Sequence, residues 1–159
     1  MKLFVVASLA ALAIAAPAAA ADFSGPRVGA TVGFADDDFG GTEAFTYGVN
    51  AGYDWDLGTS VAGVTVEYQD SSENGFGRDL SAVGRLGFKA GENALVYGLV
   101  GYTNQSLEGT GIELDGVRAG AGVEVALGTN AFAKTEYRYS DYEAGIDGHQ
   151  MVAGIGFRF

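Results

Sequence analysis

The last eleven residues, 149–159, carry apolar side chains at every second position and end on an aromatic residue. The positions in between are mostly small or polar and include one cation, Arg158. Successive side chains of a β-strand point to opposite faces, so this segment has one apolar face and one more polar face. The pattern is typical of transmembrane β-barrels, whose strands contact lipid outside and line a polar lumen inside. It predicts the closing strand of such a barrel. The apolar positions are Met151, Ala153, Ile155, Phe157 and Phe159.

The first 21 residues predict a secretory signal peptide. Lys2 gives a positive start, residues 3–16 form an apolar run, and residues 18–21 are small, as a signal-peptidase site requires. A transmembrane anchor is the alternative, but the run is too short to cross about 30 Å of hydrocarbon. Cleavage after Ala21 therefore predicts an exported domain over residues 22–159.

Eight runs of about ten residues in this domain alternate β-branched or aromatic residues with glycine or polar ones. Short and long connections follow one another in turn, as in outer-membrane barrels with short periplasmic turns and longer outer loops. The sequence therefore predicts an all-β fold, an eight-stranded antiparallel up-and-down transmembrane β-barrel. The fifth run is apolar on both faces, so its orientation stays open. The runs are Pro26–Phe34, Phe45–Trp55, Ser60–Gln69, Asp79–Lys89, Leu95–Asn104, Gly116–Ala126, Ala131–Tyr139 and His149–Phe159.

Charge separates this interpretation from a soluble β-sandwich or lipocalin-like barrel, which would turn its polar face outward. Seven of the eight lysines and arginines beyond residue 21 share the strand face that is rich in glycine. In a narrow lumen, glycine leaves room for long side chains, and opposite charges pair where an unpaired ion would be costly. Glu124 and Lys134 flank a short turn at matching parity and form the predicted pair. The candidates for ion pairs in the lumen are Glu67, Arg85, Arg118, Glu124, Lys134, Glu136 and Arg138.

The segment 134–142, KTEYRYSDY, and the closing strand resemble the small opacity-like outer-membrane β-barrel surface antigens of Gram-negative bacteria. These porin-family proteins have barrels similar to those of OmpA and OmpX. The resemblance implies location in the outer membrane, among its lipid and lipopolysaccharide. It also implies a structural surface antigen that contributes to cell-envelope integrity or adhesion, although the loops are shorter than in adhesive opacity proteins. A terminal signal for the barrel-assembly machinery is implied at Ala153, Ile155, Phe157 and Phe159.

Two other functions are compatible with the pattern. A narrow porin-like channel for small solutes requires the ions of the lumen to move aside. A lipid A-modifying enzyme requires a histidine, a serine and a carboxylate at the outer rim, and the chain's one histidine is His149. Its position in the strand places its side chain on the outward face, and Met151 stands where a His-x-Ser motif would have serine. The sequence therefore favours a protein that is not an enzyme and has no cofactor.

The long loops are strongly acidic and the formal net charge is −11. This charge excludes nucleic acid as a partner, because no basic face is present to neutralise phosphates. The carboxylates either keep the loops soluble or gather divalent cations such as Ca²⁺ or Mg²⁺, although no EF-hand spacing occurs. Against Arg78 alone, the loops carry Asp36, Asp37, Asp38, Glu43, Asp70, Glu73, Glu108, Glu113, Asp115, Asp141, Glu143 and Asp147.

Overall fold

The computed structural model describes residues 22–37, 43–72, 76–107, 111–143 and 145–159. The predicted signal peptide, residues 1–21, lies outside them and stays a prediction. The described residues form eight antiparallel strands that close into one barrel in the order β1 to β8, with β8 paired to β1. The predicted fold class is confirmed. The strands are β1 (Gly25–Asp37), β2 (Glu43–Asp56), β3 (Ser60–Ser71), β4 (Phe76–Ala90), β5 (Ala94–Leu107), β6 (Ile112–Leu127), β7 (Ala131–Tyr142) and β8 (Ile146–Arg158).

Most strands continue past their predicted ends on the side of the long loops. β6, for example, begins at Ile112 instead of Gly116, and β7 ends at Tyr142 instead of Tyr139. Backbone hydrogen bonds between strands do not require apolar side chains. A strand can therefore extend beyond the segment in which apolar and polar residues alternate. Among the described residues, no helix is long and apolar enough to span a bilayer.

The two faces of the barrel are arranged as the charge argument predicts. Large apolar side chains on the outside are exposed, with 59% of Val100 and 65% of Ile155 accessible. Inside, Arg27 is 2% and Glu124 is 0% accessible. A soluble barrel would bury the first group and expose the second. This inverted arrangement is stable only where lipid covers the outer face.

Strand β5, which the sequence did not orient, directs Leu95, Tyr97 and Leu99 into the barrel. Its outward residues include Val96 and Val100, so both faces are apolar. The inward residues form a cluster with Phe23 and Val61 that closes the turn end of the lumen. The alternation of apolar and polar residues does not reveal the orientation of β5, because apolar side chains fill the part of the lumen that this strand faces.

The short turns depend on glycine. Gly58, Gly91 and Gly128 have φ values of 92°, 80° and 93°, a left-handed conformation that other residues adopt at a cost. These turns and both ends of the described barrel lie on one side. The longer connections lie on the other, which we call the loop end.

Candidate functional site

Five charged residues meet near the turn end, and we call them the lower cluster. Arg85 donates through Nε to Asp54 Oδ1 at 2.9 Å and through Nη1 to Glu124 Oε2 at 2.8 Å. Arg27 Nη1 lies 3.3 Å from Glu124 Oε2, and Arg158 pairs with Glu124 Oε1. The five side chains come from five strands, so the cluster connects β1, β2, β4, β6 and β8 across the lumen.

The lower cluster has three guanidinium groups and two carboxylates, an excess of one positive charge. Two aromatic rings lie against two of these arginines. Arg158 Cζ is 5.2 Å from the ring centre of Phe23 and 5.3 Å from that of Phe132. Arg27 Cζ is 6.0 Å from the Phe132 ring. Ring faces attract cations at these distances, and this attraction offsets part of the cost of the unmatched charge.

The chain before β1 caps this end of the lumen. The carbonyl oxygen of Asp22 accepts from Arg158 Nη1 at 3.1 Å. The hydroxyl and the amide of Ser24 both donate to the Asp22 carboxylate, and these bonds hold the pKa of that carboxyl below its usual value. The segment is therefore held against the barrel by polar contacts as well as by the buried Phe23 ring.

A second group, the middle cluster, is balanced in charge. Arg138 donates through Nη1 to Glu67 Oε1 at 2.7 Å and through Nε to Glu136 Oε2 at 2.8 Å. Lys134 Nζ lies 2.9 Å from Glu136 Oε1 and 3.9 Å from Glu67 Oε2. The hydroxyl of Tyr97 donates to Glu136 Oε1 at 2.6 Å. All five side chains are buried.

The predicted pair between Glu124 and Lys134 was wrong. The two residues are opposite each other in the register of β6 and β7, as expected. Lys134 nevertheless pairs with Glu136 and Glu67, while Glu124 accepts from arginines of β1, β4 and β8. The position of a residue on a strand does not reveal which residues face it across the lumen, and here three guanidiniums converge on Glu124.

Nearer the loop end, Asp79 and Arg118 form a third buried group. Arg118 Nη2 lies 2.6 Å from Asp79 Oδ2, and its Nε donates to Ser140 Oγ at 2.9 Å. The hydroxyl of Thr103 donates to Asp79 Oδ1 at 2.9 Å. The guanidinium of Arg118 is thus fully committed to neighbours of the lumen wall.

All seven sequence-predicted lumen residues lie buried in these three groups. Sequence reasoning did not single out four further members. Arg27, Asp54 and Arg158 share the inward parity of the candidates, which was the signal available. Asp79 stands at the predicted start of its strand, where an acid is easily assigned to a loop.

Between the lower and middle clusters the lumen is nearly solid. A cavity there measures about 10 Å³ and is bordered by Arg85, Tyr97 and Arg138 among others. One water needs at least about 10–15 Å³ of such space. At this level of the barrel axis, the cavity therefore holds about one water at most.

A larger cavity of about 250 Å³ opens at the loop end, above the Asp79–Arg118 pair, and we call it the cup. Its lining includes three glutamines, two of which interact in its floor. Gln150 Nε2 donates to Thr46 Oγ1 at 2.9 Å and to Gln69 Oε1 at 3.1 Å. Leu114, Tyr142 and Ile146 add apolar surface to the wall.

The terminal strand places the predicted assembly residues on the outer face. Ile155, Phe157 and Phe159 are 65%, 58% and 74% accessible, and Ala153 is exposed beside them. The amide of Phe159 donates to the carbonyl oxygen of Pro26 at 3.0 Å, so the chain end lies on the β1–β8 seam. Their role in assembly stays a prediction.

His149 lies on the outer face near the loop end. Its Nδ1 is 2.6 Å from the hydroxyl of Tyr137, and its ring packs against Tyr137 and Tyr139. Among the described residues, no group of three or more His, Asp or Glu side chains is placed to hold a metal ion. Of the acidic loop residues, Asp38, Glu73 and Glu108 lie outside the described part of the chain.

A closed antiparallel barrel with an apolar exterior and an ion-paired lumen defines an integral outer-membrane β-barrel protein. The chain belongs to the outer membrane protein beta-barrel domain family, whose sequence model matches residues 4–159. This membership confirms the predicted family resemblance and the predicted location in the outer membrane.

Curated relatives carry names of the same kind. A 22 kDa outer membrane protein of Rhizobium leguminosarum bv. viciae is 30% identical over 152 residues, covering 77% of this chain and 71% of the relative. A 25 kDa outer-membrane immunogenic protein of Brucella ovis is 30% identical over 130 residues, covering 74% of this chain and 57% of the relative. The N-terminal β-barrel domain of Pseudomonas aeruginosa OprF has a TM-score of 0.65 at 18% identity, with 86% of this chain and 99% of that chain covered. That last similarity concerns the fold alone.

Proposed function

We propose that this outer-membrane barrel is a structural protein of the cell surface with a closed lumen and no enzymatic activity, and that it contributes to envelope integrity or adhesion. The observation that carries the proposal is the filled lumen, where three buried ion-paired groups follow one another along the axis. Such a barrel ties its strands together instead of offering a path through them.

A narrow porin-like channel is the alternative, and it would have to break these contacts. Opening the lumen means separating Arg85 from Asp54 and Arg138 from Glu67, both in buried surroundings. Removing one partner of a buried pair costs about 3–5 kcal/mol, so simultaneous separation at several levels would make the open state rare. The geometry therefore supports a closed barrel over a steady pore.

A lipid A-modifying enzyme finds little support in the surroundings of His149. Three serines near the loop end could be considered as its partner. Ser140 faces the lumen and accepts from Arg118, whereas His149 faces outward. Ser106 donates to the carbonyl oxygen of Arg78, and Ser72 donates to that of Phe45. Each serine thus has a structural bond of its own, which supports a role for His149 in aromatic packing at the membrane interface.

The proposed partners follow from the outer surface. The apolar belt contacts outer-membrane lipid, and the loop end lies among lipopolysaccharide headgroups. Carboxylates near the loop end, such as Asp36, Asp70 and Asp147, attract the divalent cations that neutralise lipopolysaccharide phosphates. The barrel-assembly machinery acts on the exposed terminal strand during biogenesis.

Three measurements test the proposal. The refolded protein in a planar bilayer is expected to give no steady conductance, and lipid A incubated with it is expected to keep its mass. Long-lived open steps would favour the channel, and loss or gain of an acyl chain would favour the enzyme. A deletion strain is expected to become more sensitive to detergent or less adherent, and recovery by the plasmid-borne gene controls for effects on neighbouring genes.

A further inference from the structure

The cup contains every glutamine of the chain. Gln69, Gln105 and Gln150 all line it, although they come from β3, β5 and β8. A glutamine amide both donates and accepts hydrogen bonds, and three converge on one cavity of about 250 Å³. One water needs about 10–15 Å³ of such space, so the cup has room for many waters or for a small ligand.

Two of these amides are buried and incompletely satisfied. Gln69 is 2% and Gln150 is 9% accessible. Gln69 Nε2, a donor, and Gln150 Oε1, an acceptor, have no hydrogen-bond partner among the described residues. An unpaired buried polar group is energetically unfavourable. Both atoms are closed to solvent, so a ligand hydroxyl in the floor of the cup reaches them only when the two amides rotate toward it. It can then accept from the first amide and donate to the second.

The charges of the cup select against anions. Its described lining has one arginine, Arg118, which is already neutralised by Asp79. The remaining carboxylates of the lining, those of Asp36, Asp70 and Asp147, stand at the rim on the outward parity of their strands. They repel anions from the entrance, and no described group of acidic residues is placed to hold a metal ion inside.

We propose that the cup binds a neutral saccharide, with one sugar ring seated on the two unpartnered amides. Hydroxyl groups of the ring match the amides and the Thr46 hydroxyl, and its C–H face packs against the apolar wall. This inference goes beyond the proposed role in the envelope, which depends on the filled lumen below and does not require a ligand.

The test uses the side-chain NH₂ signals of the three glutamines. The ¹⁵N-labelled barrel is refolded in phosphocholine micelles, because maltoside detergents would themselves present a sugar. Glucose, galactose and mannose are then titrated separately, with MgCl₂ and butylamine as ionic probes. The proposal predicts saturable shifts of the Gln69 and Gln150 NH₂ signals with at least one sugar.

Variants separate binding from folding. Gln69→Met and Gln150→Met are expected to weaken the responsive sugar at least about tenfold. Each removes one unpaired amide atom but also breaks the hydrogen bond between Gln150 and Gln69, so thermal unfolding is measured for each variant to confirm that it is folded. Asn50→Leu is the matched control. Asn50 is also buried and lacks partners for both amide atoms, but it does not line the cup, so sugar affinity is expected to stay unchanged.

The proposal is overturned if no sugar shifts these signals at millimolar concentration, if only MgCl₂ or butylamine does, or if both glutamine variants bind sugar like the native protein. If a variant does not refold, the titration of the native barrel decides. Failure here leaves the conductance and detergent-sensitivity results untouched, so the two proposals are judged separately.

Discussion

Replacing Glu124 by glutamine tests the central contact of the lower cluster. Glu124 faces three arginines and is fully buried. The change leaves three guanidiniums with the single carboxylate of Asp54, so the excess charge rises from one to two. Removing one partner of a well-buried pair costs about 3–5 kcal/mol. We expect Glu124→Gln to lower the free energy of unfolding by about this amount. The amide oxygen can still accept a hydrogen bond, but it carries no charge to balance the three arginines.

A second substitution identifies the partner. Adding Arg158→Met restores an excess of one positive charge, so the double variant is expected to recover part of the loss, with a coupling of about 1–3 kcal/mol. Lys134→Met is the matched control, because Lys134 is opposite Glu124 in register but pairs with Glu136 and Glu67. It is expected to give no recovery in the Glu124→Gln background.

Urea unfolding of the barrel in lipid vesicles, followed by fluorescence of Trp55, measures these free energies. Trp55 is the chain's one tryptophan and lies on the outer face near the turn end. Additive losses in the Arg158 cycle would refute the ion pair. If adding Lys134→Met instead recovers stability, Glu124 pairs with Lys134, its neighbour in the strand register. Conductance measured on each variant shows whether the cluster also keeps the lumen shut.

Three further outcomes are expected. Unheated protein should migrate differently from boiled protein on an SDS gel, because a closed barrel satisfies its backbone hydrogen bonds internally; a soluble periplasmic species without this shift would contradict the membrane fold. Deleting Phe159 should reduce insertion while export persists, and equal surface exposure of the truncated and intact proteins would remove its inferred role in assembly. Gly63→Ala should destabilise by about 1–3 kcal/mol, since a Cβ there would clash with Asp54 Oδ1, which is buried and held in place by Arg85. Gly84→Ala, whose nearest neighbour would be 3.8 Å away, should be tolerated, and equal stability of the two variants would show that the lumen is not tightly packed.

The sequence predicts faces better than it predicts neighbours. Alternation located all eight strands and assigned Arg85, Glu136 and Arg138 to the lumen, because period-two patterning is a local property. It failed for β5, where Tyr97 and its apolar neighbours fill the lumen. It also could not pair Glu124 with Arg158, because strand parity fixes the face of a residue but not its partners on the far side of the barrel.

The cup was missed for a different reason. Its glutamines carry no charge and stand close to the ends of their strands, where the apolar alternation is weak. Gln69 and Gln150 meet only because β3 and β8 approach each other across the mouth of the closed barrel. No spacing along the chain encodes that meeting, so a site of this kind is visible only after closure.

The lower cluster also bears on the order in which the barrel is completed. Glu124 of β6 holds arginines from both the first and the last strand, and those two strands form the seam. Until β8 arrives, Arg158 cannot reach this carboxylate, and the backbone edge of β1 has no partner. The backbone pairing of β8 with β1 and the binding of Arg158 to Glu124 therefore occur together. The ion pairs of the lumen form completely only when the final strand pairs in the correct register. A chain that slipped by one residue would turn Arg158 toward lipid and Phe157 inward, which makes misregistered closure costly on both faces at once.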